Sequence, residues 1–353
     1  MKKHLFSLLV ALVATAGSLP MAAQEAYAVL TEADYTLTFY YDNLRSTRPG
    51  TEYDMPTTGA TPGWAGCQKI KHAVFDASFA DYRPTSTSLW FQNCVKLQDI
   101  KDIRNLNTEN VIDMSLMFQY CSSLASLDLT GFNTANVTDM SLMFIGCSSL
   151  ASLDLTGFNT ANVTTMEDMF NRCSSLVSLN LTSFNTEKVT NMWAMFNECS
   201  SLASLDLSSF NTEKVTDMRE MFGYCMSLTS LDLTGFNTAN VTDMTIMFRG
   251  SSSLTTIYCN DDWSVGGKVD YYRGMFSNCP NLKGDGAAYD SSKTGIEMAN
   301  PTTGYFTTMT TGIDHVTAAG KVGDGKTYDL SGRLVSKNYK GVVVTNGRKI
   351  LQR

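Results

Sequence analysis

The sequence predicts a repeat solenoid, a chain wound into equivalent stacked rungs, each with a short parallel strand and a helical turn, followed by a small C-terminal β unit. Three observations predict it. The 18 residues CSSLASLDLTGFNTANVT occur letter for letter at 121–138 and again at 147–164, and a near-copy starts at Cys225. Cysteines stand at 67, 94, 121, 147, 173, 199, 225 and 279, with Ser251 where the series would place one, in steps of 26 to 28 residues. Each unit also repeats one apolar frame, which in the unit starting at Cys121 is Leu124, Leu127, Leu129, Phe132, Val137, Met140, Met143 and Phe144. A fixed period in this range marks units that cannot bury their apolar face alone and do so by stacking.

The elements follow in chain order. Residues 1–23 pair Lys2 and Lys3 with an apolar run from Leu5 and then small residues, the pattern of a secretory signal, with cleavage expected after Ala23 and Ala28 as the alternative. That run is shorter than the roughly 20 residues a membrane span requires, and none comparable recurs, so no transmembrane segment is expected. Residues 24–66 form an N-terminal β cap: YAVLTEADYTLTFYYDN reads as two strands around a polar turn, a lid on the first rung.

Residues 67–278 are the solenoid, read as eight rungs. Within a rung, Ser126-Leu127-Asp128-Leu129-Thr130 alternates polar and apolar, as a half-buried strand does. Val137 to Met140 reads as a second short extended piece, and Met140, Met143 and Phe144, at i, i+3 and i+4, predict the helical turn. Stacked in register, like residues lie over like about 4.8 Å apart, and every frame position becomes a ladder. In the first rung Trp90 takes the methionine slot beside Phe91, and CNDDWSVGGKVDYYRGMFSNC stretches the last. Residues 279–310 close the solenoid. Residues 311–353 form a small β tail broken at Ser331-Gly332 and Asn346-Gly347, the latter a hairpin signal, with eight Lys or Arg against three Asp.

Composition narrows the chemistry. The net charge is −7, and −9 once Lys2 and Lys3 are removed, which disfavours nucleic acid and anionic membrane. Only His4, His72 and His315 are available for acid–base or metal work, and no CxxC pairs occur. No catalytic, cofactor or metal site is expected, and the chain reads as a non-enzyme. For the cysteine ladder, disulfides suit an exported protein. Parallel side chains on stacked rungs, however, hold Cβ atoms farther apart than a bridge prefers, which favours buried free thiols, Cys259 included.

The repeated VTDMSLMFIGCSSLASLDLTGFNT resembles the units of BspA-like leucine-rich-repeat surface proteins, with their pattern M-x-x-M-F-x-x-C-x-x-L-x-x-L-x-L-x-x-F, over roughly residues 67–279. The leader AYAVL...TLTFYYDN is similar to that of such proteins from Bacteroidetes-type bacteria. The tail YDLSGRLV...KGVVVTNGRKIL resembles their C-terminal sorting modules. The resemblance implies a right-handed leucine-rich-repeat coil displayed at the cell surface or secreted, and adhesion to an extracellular or host protein or a glycan. It also implies that the tail engages outer-membrane secretion machinery. It supplies no catalytic residues.

Two sets of residues are candidates for partner binding. Asp128, Asp154, Asn180, Asp206 and Asp232 form an outward polar row that could accept donors from a basic partner, or simply keep the sheet solvated; like charges about 5 Å apart repel by roughly 0.8 kcal/mol in water, and Asn180 interrupts them. The pairs beside the methionines vary from rung to rung, and Trp193, Arg219 and Tyr224 are the natural anchors among their neighbours, although surface drift gives the same variation. Asn136, Asn162 and Asn240 open Asn-Val-Thr glycosylation patterns that the repeat itself also explains. The expected function is adhesion-type binding by a secreted or surface solenoid, the alternative a passive envelope-coat protein without a specific ligand.

Overall fold

In the computed structural model the described residues are 23–57, 59–66, 68–265 and 273–309, with three strands between 327 and 352. The signal segment up to residue 22, Cys67, His315 and the two turns of the tail lie outside them.

The fold starts with a hairpin. Glu25–Thr31 (β1) and Thr36–Asp42 (β2) pair antiparallel around a polar turn, and Thr51–Asp54 (β3) adds to the far side of β1. β2 then pairs in parallel with His72–Phe75 (β4), and β4 with Asp99–Lys101 (β5), so the cap sheet runs directly into the repeat. From there the chain returns to the same place 26 residues on, where Ser152–Leu153 (β6) pairs with Ser178–Leu179 (β7) and Ser230–Asp232 (β8) with Thr256–Tyr258 (β9); β9 pairs in turn with Phe306–Thr307 (β10) of the closing segment. A second line of parallel bridges joins Ser86, Asp113, Asp139, Thr165, Asn191, Asp217 and Asp243 in succession. The tail strands Thr327–Asp329 (β11), Gly341–Thr345 (β12) and Arg348–Gln352 (β13) form an antiparallel sheet, with a two-residue connection between β12 and β13.

The interior is a set of ladders. Rings of Phe91, Phe118, Phe144, Phe170, Phe196, Phe222, Phe248 and Phe276 stack within 9° of parallel at centroid spacings of 5.4 to 5.8 Å, the offset geometry that aromatic quadrupoles favour. Edge-on rings close both ends: Phe39 meets Phe91 at 77°, and Tyr305 meets Phe276 at 86°. Leucines, valines and methionines of the frame are buried alongside, with Leu127 and Leu205 only partly so. The cysteines join them. Cys121, Cys147, Cys173, Cys199, Cys225, Cys259 and Cys279 are free and buried, and each ladder thiol donates to a phenylalanine carbonyl of the rung before, as Cys147 Sγ does to Phe118 O at 3.2 Å.

Polar groups ladder too. The hydroxyls of Thr108, Thr134, Thr160, Thr186 and Thr212 are almost fully buried, and each both donates to and accepts from the backbone of the asparagine one rung on; Thr134 donates to Asn159 O at 3.0 Å and accepts from Asn159 N–H at 2.8 Å. That satisfies backbone groups at a corner where no strand continues. The Asn-Val-Thr asparagines also tie rung to rung, since Asn136, Asn162 and Asn240 donate Nδ2 to carbonyls of Glu109, Ala135 and Glu213 at 2.7 to 2.8 Å.

Two expectations require correction. Met140, Met143 and Phe144 are buried on one side, but no helical turn forms there. The segment is a run of tandem turns: alternate residues bond three back, and the others bond to the next rung, as Leu116 N–H does to Ser141 O, Phe118 N–H to Met143 O and Tyr120 N–H to Ile145 O. To aim amides sideways the backbone turns left-handed twice per rung, at Leu116 and Tyr120, Leu142 and Gly146, Asp168 and Arg172. An α-helix would direct those groups along its own axis and leave the neighbouring rung unpaired. The strand ladder is likewise interrupted, because the segments at 126–128 and 204–206 are not strands. The outward Asp closes a turn two residues on, which limits each strand to two or three residues.

Candidate partner-binding surface

The structure does not gather the sequence candidates into one patch. Asp128, Asp154, Asn180, Asp206 and Asp232 line the corner after the strand position, where each Oδ1 accepts the backbone N–H two residues on, at 2.9 to 3.1 Å. In four of the five rungs the following threonine hydroxyl donates to the same oxygen, as Thr130 does to Asp128 at 2.7 Å. These are Asx turns, whose short side chains mimic a backbone turn. The Thr130 hydroxyl first, then its N–H, holds the Asp128 carboxyl below the usual range; the N–H of Thr156 does so for Asp154, and that of Ser208 for Asp206. One oxygen of each is thus engaged within its own loop, and the second faces solvent on an exposed residue.

Trp193, Arg219 and Tyr224 lie instead along the tandem-turn edge. Another Asx residue introduces the edge segment in these rungs: Asn191 Oδ1 accepts Trp193 N–H at 2.9 Å, and Asp217 Oδ1 accepts Arg219 N–H at 3.0 Å. Trp193 and Arg219 therefore occupy the same position one rung apart. The guanidinium stands over the indole, 4.9 Å from its ring, while Asp217 at 2.7 Å and Asp243 at 3.4 Å hold the guanidinium from two sides. Arg219 remains 40% exposed, against 21% and 15% for its two acids, so the cation is the part offered to solvent. The Trp193 Nε1 has no acceptor among the described residues.

Tyr224 belongs to a second row of the edge. Its ring lies against Gly250, and the Arg249 guanidinium is 5.8 Å from the ring centroid. With Ser174, Glu198, Ser200 and Met226, the last half exposed, it lines a groove of about 350 Å³. One rung back, Arg172 pairs with Glu198 at 3.2 Å. Beneath this row Asn171 Nδ2 donates to Asp168 at 2.6 Å, and burial pushes the Asp168 carboxyl up. Asp217, Asp243, Glu198 and Arg249 were not singled out from the sequence, although residues 26 apart were legible as neighbours.

Elsewhere the fold pairs two residues that stand one 27-residue step apart. His72 Nδ1 lies 2.8 Å from Asp99 Oδ2, across β4 and β5. Among the described residues no group of three His, Cys, Asp or Glu converges as metal ligands would, and no helix is long and apolar enough to cross a membrane.

Comparison with known proteins gives a family match and a structural match. The family described as "Mycoplasma protein of unknown function, DUF285" matches residues 85–205 and 173–289, together more than half of the chain. The crystal structure of a leucine rich cell surface protein from Faecalibacterium prausnitzii A2-165 aligns at 14% identity and a TM-score of 0.23, covering 73% of this chain and 92% of that one. No curated protein matches the chain.

Proposed function

The chain belongs to the family described as "Mycoplasma protein of unknown function, DUF285", and from that premise we propose that it is an exported, non-enzymatic surface protein that binds an extracellular macromolecule along its tandem-turn edge. It is read as a right-handed solenoid of the leucine-rich-repeat, BspA-like type, led out by residues 1–23 and passed to the cell exterior with the help of its tail. The observation that carries the reading is the Trp193–Arg219 pair. Frame residues and corner hydroxyls are engaged in holding rung to rung, whereas this pair is already oriented, partly exposed, and built of the residue types that anchor protein interfaces. A cation fixed over an aromatic ring loses little freedom on binding, which favours affinity.

The test has two arms. Protease treatment of intact cells should degrade the protein, and a chain lacking residues 311–353 should remain inside. The purified mature chain, offered to an array of extracellular proteins, should give saturable, salt-sensitive binding that Arg219→Ala abolishes. An empty array together with concentration-dependent self-association would instead favour the passive coat reading.

A further inference from the structure

Two places for the export cut stand close together, after Ala23 and after Ala28. Small residues one and three before the cut mark such a site; Ala26-Tyr27-Ala28 has both, and Met21-Ala22-Ala23 has only the one next to the cut. The fold favours Ala23 nevertheless. A cut after Ala28 takes away Glu25 to Ala28, the first half of β1, with its pairing to β2 from Glu25↔Asp42 to Ala28↔Phe39 and to β3 at Tyr27↔Asp54 and Ala28↔Tyr53. Tyr27 and Ala28 are fully buried. The Tyr27 hydroxyl donates to Asp42 at 2.6 Å and accepts from Arg48 Nε at 3.1 Å, its ring stacks on Tyr40 at 5.5 Å, and Glu25 holds Arg45 at 3.3 Å. A cut after Ala23 leaves all of these contacts in place, because strand pairing begins at Glu25.

Gln24 then opens the mature chain. It is exposed and stands one residue outside the β1–β2 register, so strand pairing does not hold its amine away from its own side chain. A glutamine in that position carries a nucleophile and an acyl group within one residue. The free α-amine attacks Cδ of the side-chain amide, and the new N–Cδ bond closes a lactam ring. The Cδ–Nε2 bond breaks with its electron pair on Nε2, which takes up the proton shed by the amine and departs as ammonia. No oxidant, reductant or second substrate enters the step.

We propose that Gln24 is a modification site, exposed by cleavage after Ala23 and converted to pyroglutamate. The assignment rests on the export reading above and is independent of what the Trp193–Arg219 edge binds. The lactam carries no α-amine and no terminal charge, so an aminopeptidase has nothing to grip. Exposed chain ends are where proteolysis concentrates, and here the ordered cap begins at the very next residue. Trimming from residue 24 would release Arg45 from Glu25 and then reach Tyr27, which anchors Arg48. A block at Gln24 keeps the strand that lids the first rung whole.

The full chain is collected from producing cells and their medium, its free amines are tagged while it is intact, and it is then digested after arginine. Tagging first keeps cyclisation during digestion from being counted. Tandem mass spectrometry should find an N-terminal peptide running from residue 24 to Arg45, untagged and lighter than its encoded sequence by one ammonia. Gln24→Ala, at an exposed position before the first strand, should melt at the same temperature and yield a tagged peptide from residue 24. An aminopeptidase should shorten that variant and leave the parent chain whole. A parent peptide that starts at Gln24 and carries the tag overturns the modification while the export reading stands. A chain starting at Val29 overturns the cut and the modification together, and one still starting at Met1 overturns the export reading beneath both.

Discussion

Gly146 lies directly under the ring of Tyr120: a Cβ built on Gly146 would collide with Tyr120 Cδ1, and Gly146 has a φ of +72°. Gly250 stands in the same relation to Tyr224, with a φ of +73°. A rung that places a tyrosine at this position is followed by a rung without a side chain there, which lets the ring lie down along the edge. Gly146→Ala should therefore destabilise the chain by about 2 kcal/mol or more, from left-handed strain and displaced ring together. Gly235→Ala, where a Cβ meets nothing within 4 Å, should change stability by less than about 1 kcal/mol. Denaturant midpoints of the two variants distinguish them.

Burial makes the thiol ladder a pH-dependent element. It pushes the thiols of Cys147, Cys225 and Cys279 up to about 12, and those of Cys121, Cys173 and Cys199 well above the ordinary value of 9.0. The folded state keeps protons that the unfolded chain releases, so stability is fully present below pH 9 and is lost from there to about pH 12. Each thiol contributes up to about 1.4 kcal/mol per pH unit inside that window. Denaturation followed from about pH 8 to pH 11 should show the decline, and Cys147→Ser should make it shallower.

The serine replacement is informative because the chain already contains one. Ser251 Oγ donates to Phe222 O at 2.7 Å, the bond that Cys225 Sγ makes to Phe196 O at 3.1 Å. Cys147→Ser should accordingly fold and cost about 1 kcal/mol or less at neutral pH, whereas Cys147→Leu should overpack the ladder by about 1–3 kcal/mol. Thiol-specific reagents should label the ladder only after unfolding.

Thr160 tests the corner hydroxyls. It donates to Asn185 O at 2.9 Å and accepts from Asn185 N–H at 2.8 Å. Thr160→Val keeps the shape but leaves that N–H unpaired at a buried corner, at about 1–3 kcal/mol. Thr160→Ser, which restores the hydroxyl, should recover most of the loss in the same melt.

On the edge, Trp193 fluorescence reports on Arg219. Removing the guanidinium 4.9 Å from the indole, in Arg219→Ala, should shift the Trp193 emission maximum and raise its quenching by iodide, with the melting temperature changed little. An Arg219→Lys chain, whose ammonium lacks the planar fork that reaches both Asp217 and Asp243, should give an intermediate result.

Much of this was legible in the letters. Residues 26 apart and alike must stack if each rung buries the same frame, so the phenylalanine, leucine and cysteine ladders, the strands β1 and β2 and the pairing of β12 with β13 follow from periodicity and turn chemistry. The same spacing contains the pairing of Trp193 with Arg219 and of Arg172 with Glu198. The backbone of the Met-x-x-Met-Phe segment was not legible, because i, i+3 and i+4 describe buried side chains equally well in a helix or in tandem turns, and only the need of the neighbouring rung for hydrogen bonds selects the turns.

Periodicity alone sets what repeats: which side chains are inward, and that each covers its copy. Packing in three dimensions decides what happens where the copies differ. That Tyr120 lies down on Gly146, that the outward aspartates are engaged in their own turns, and that Trp263 meets Phe306 edge-on all depend on the shape of an adjoining rung, loop or cap. A period specifies contacts between like residues; contacts between unlike ones are settled by neighbours that no single rung contains.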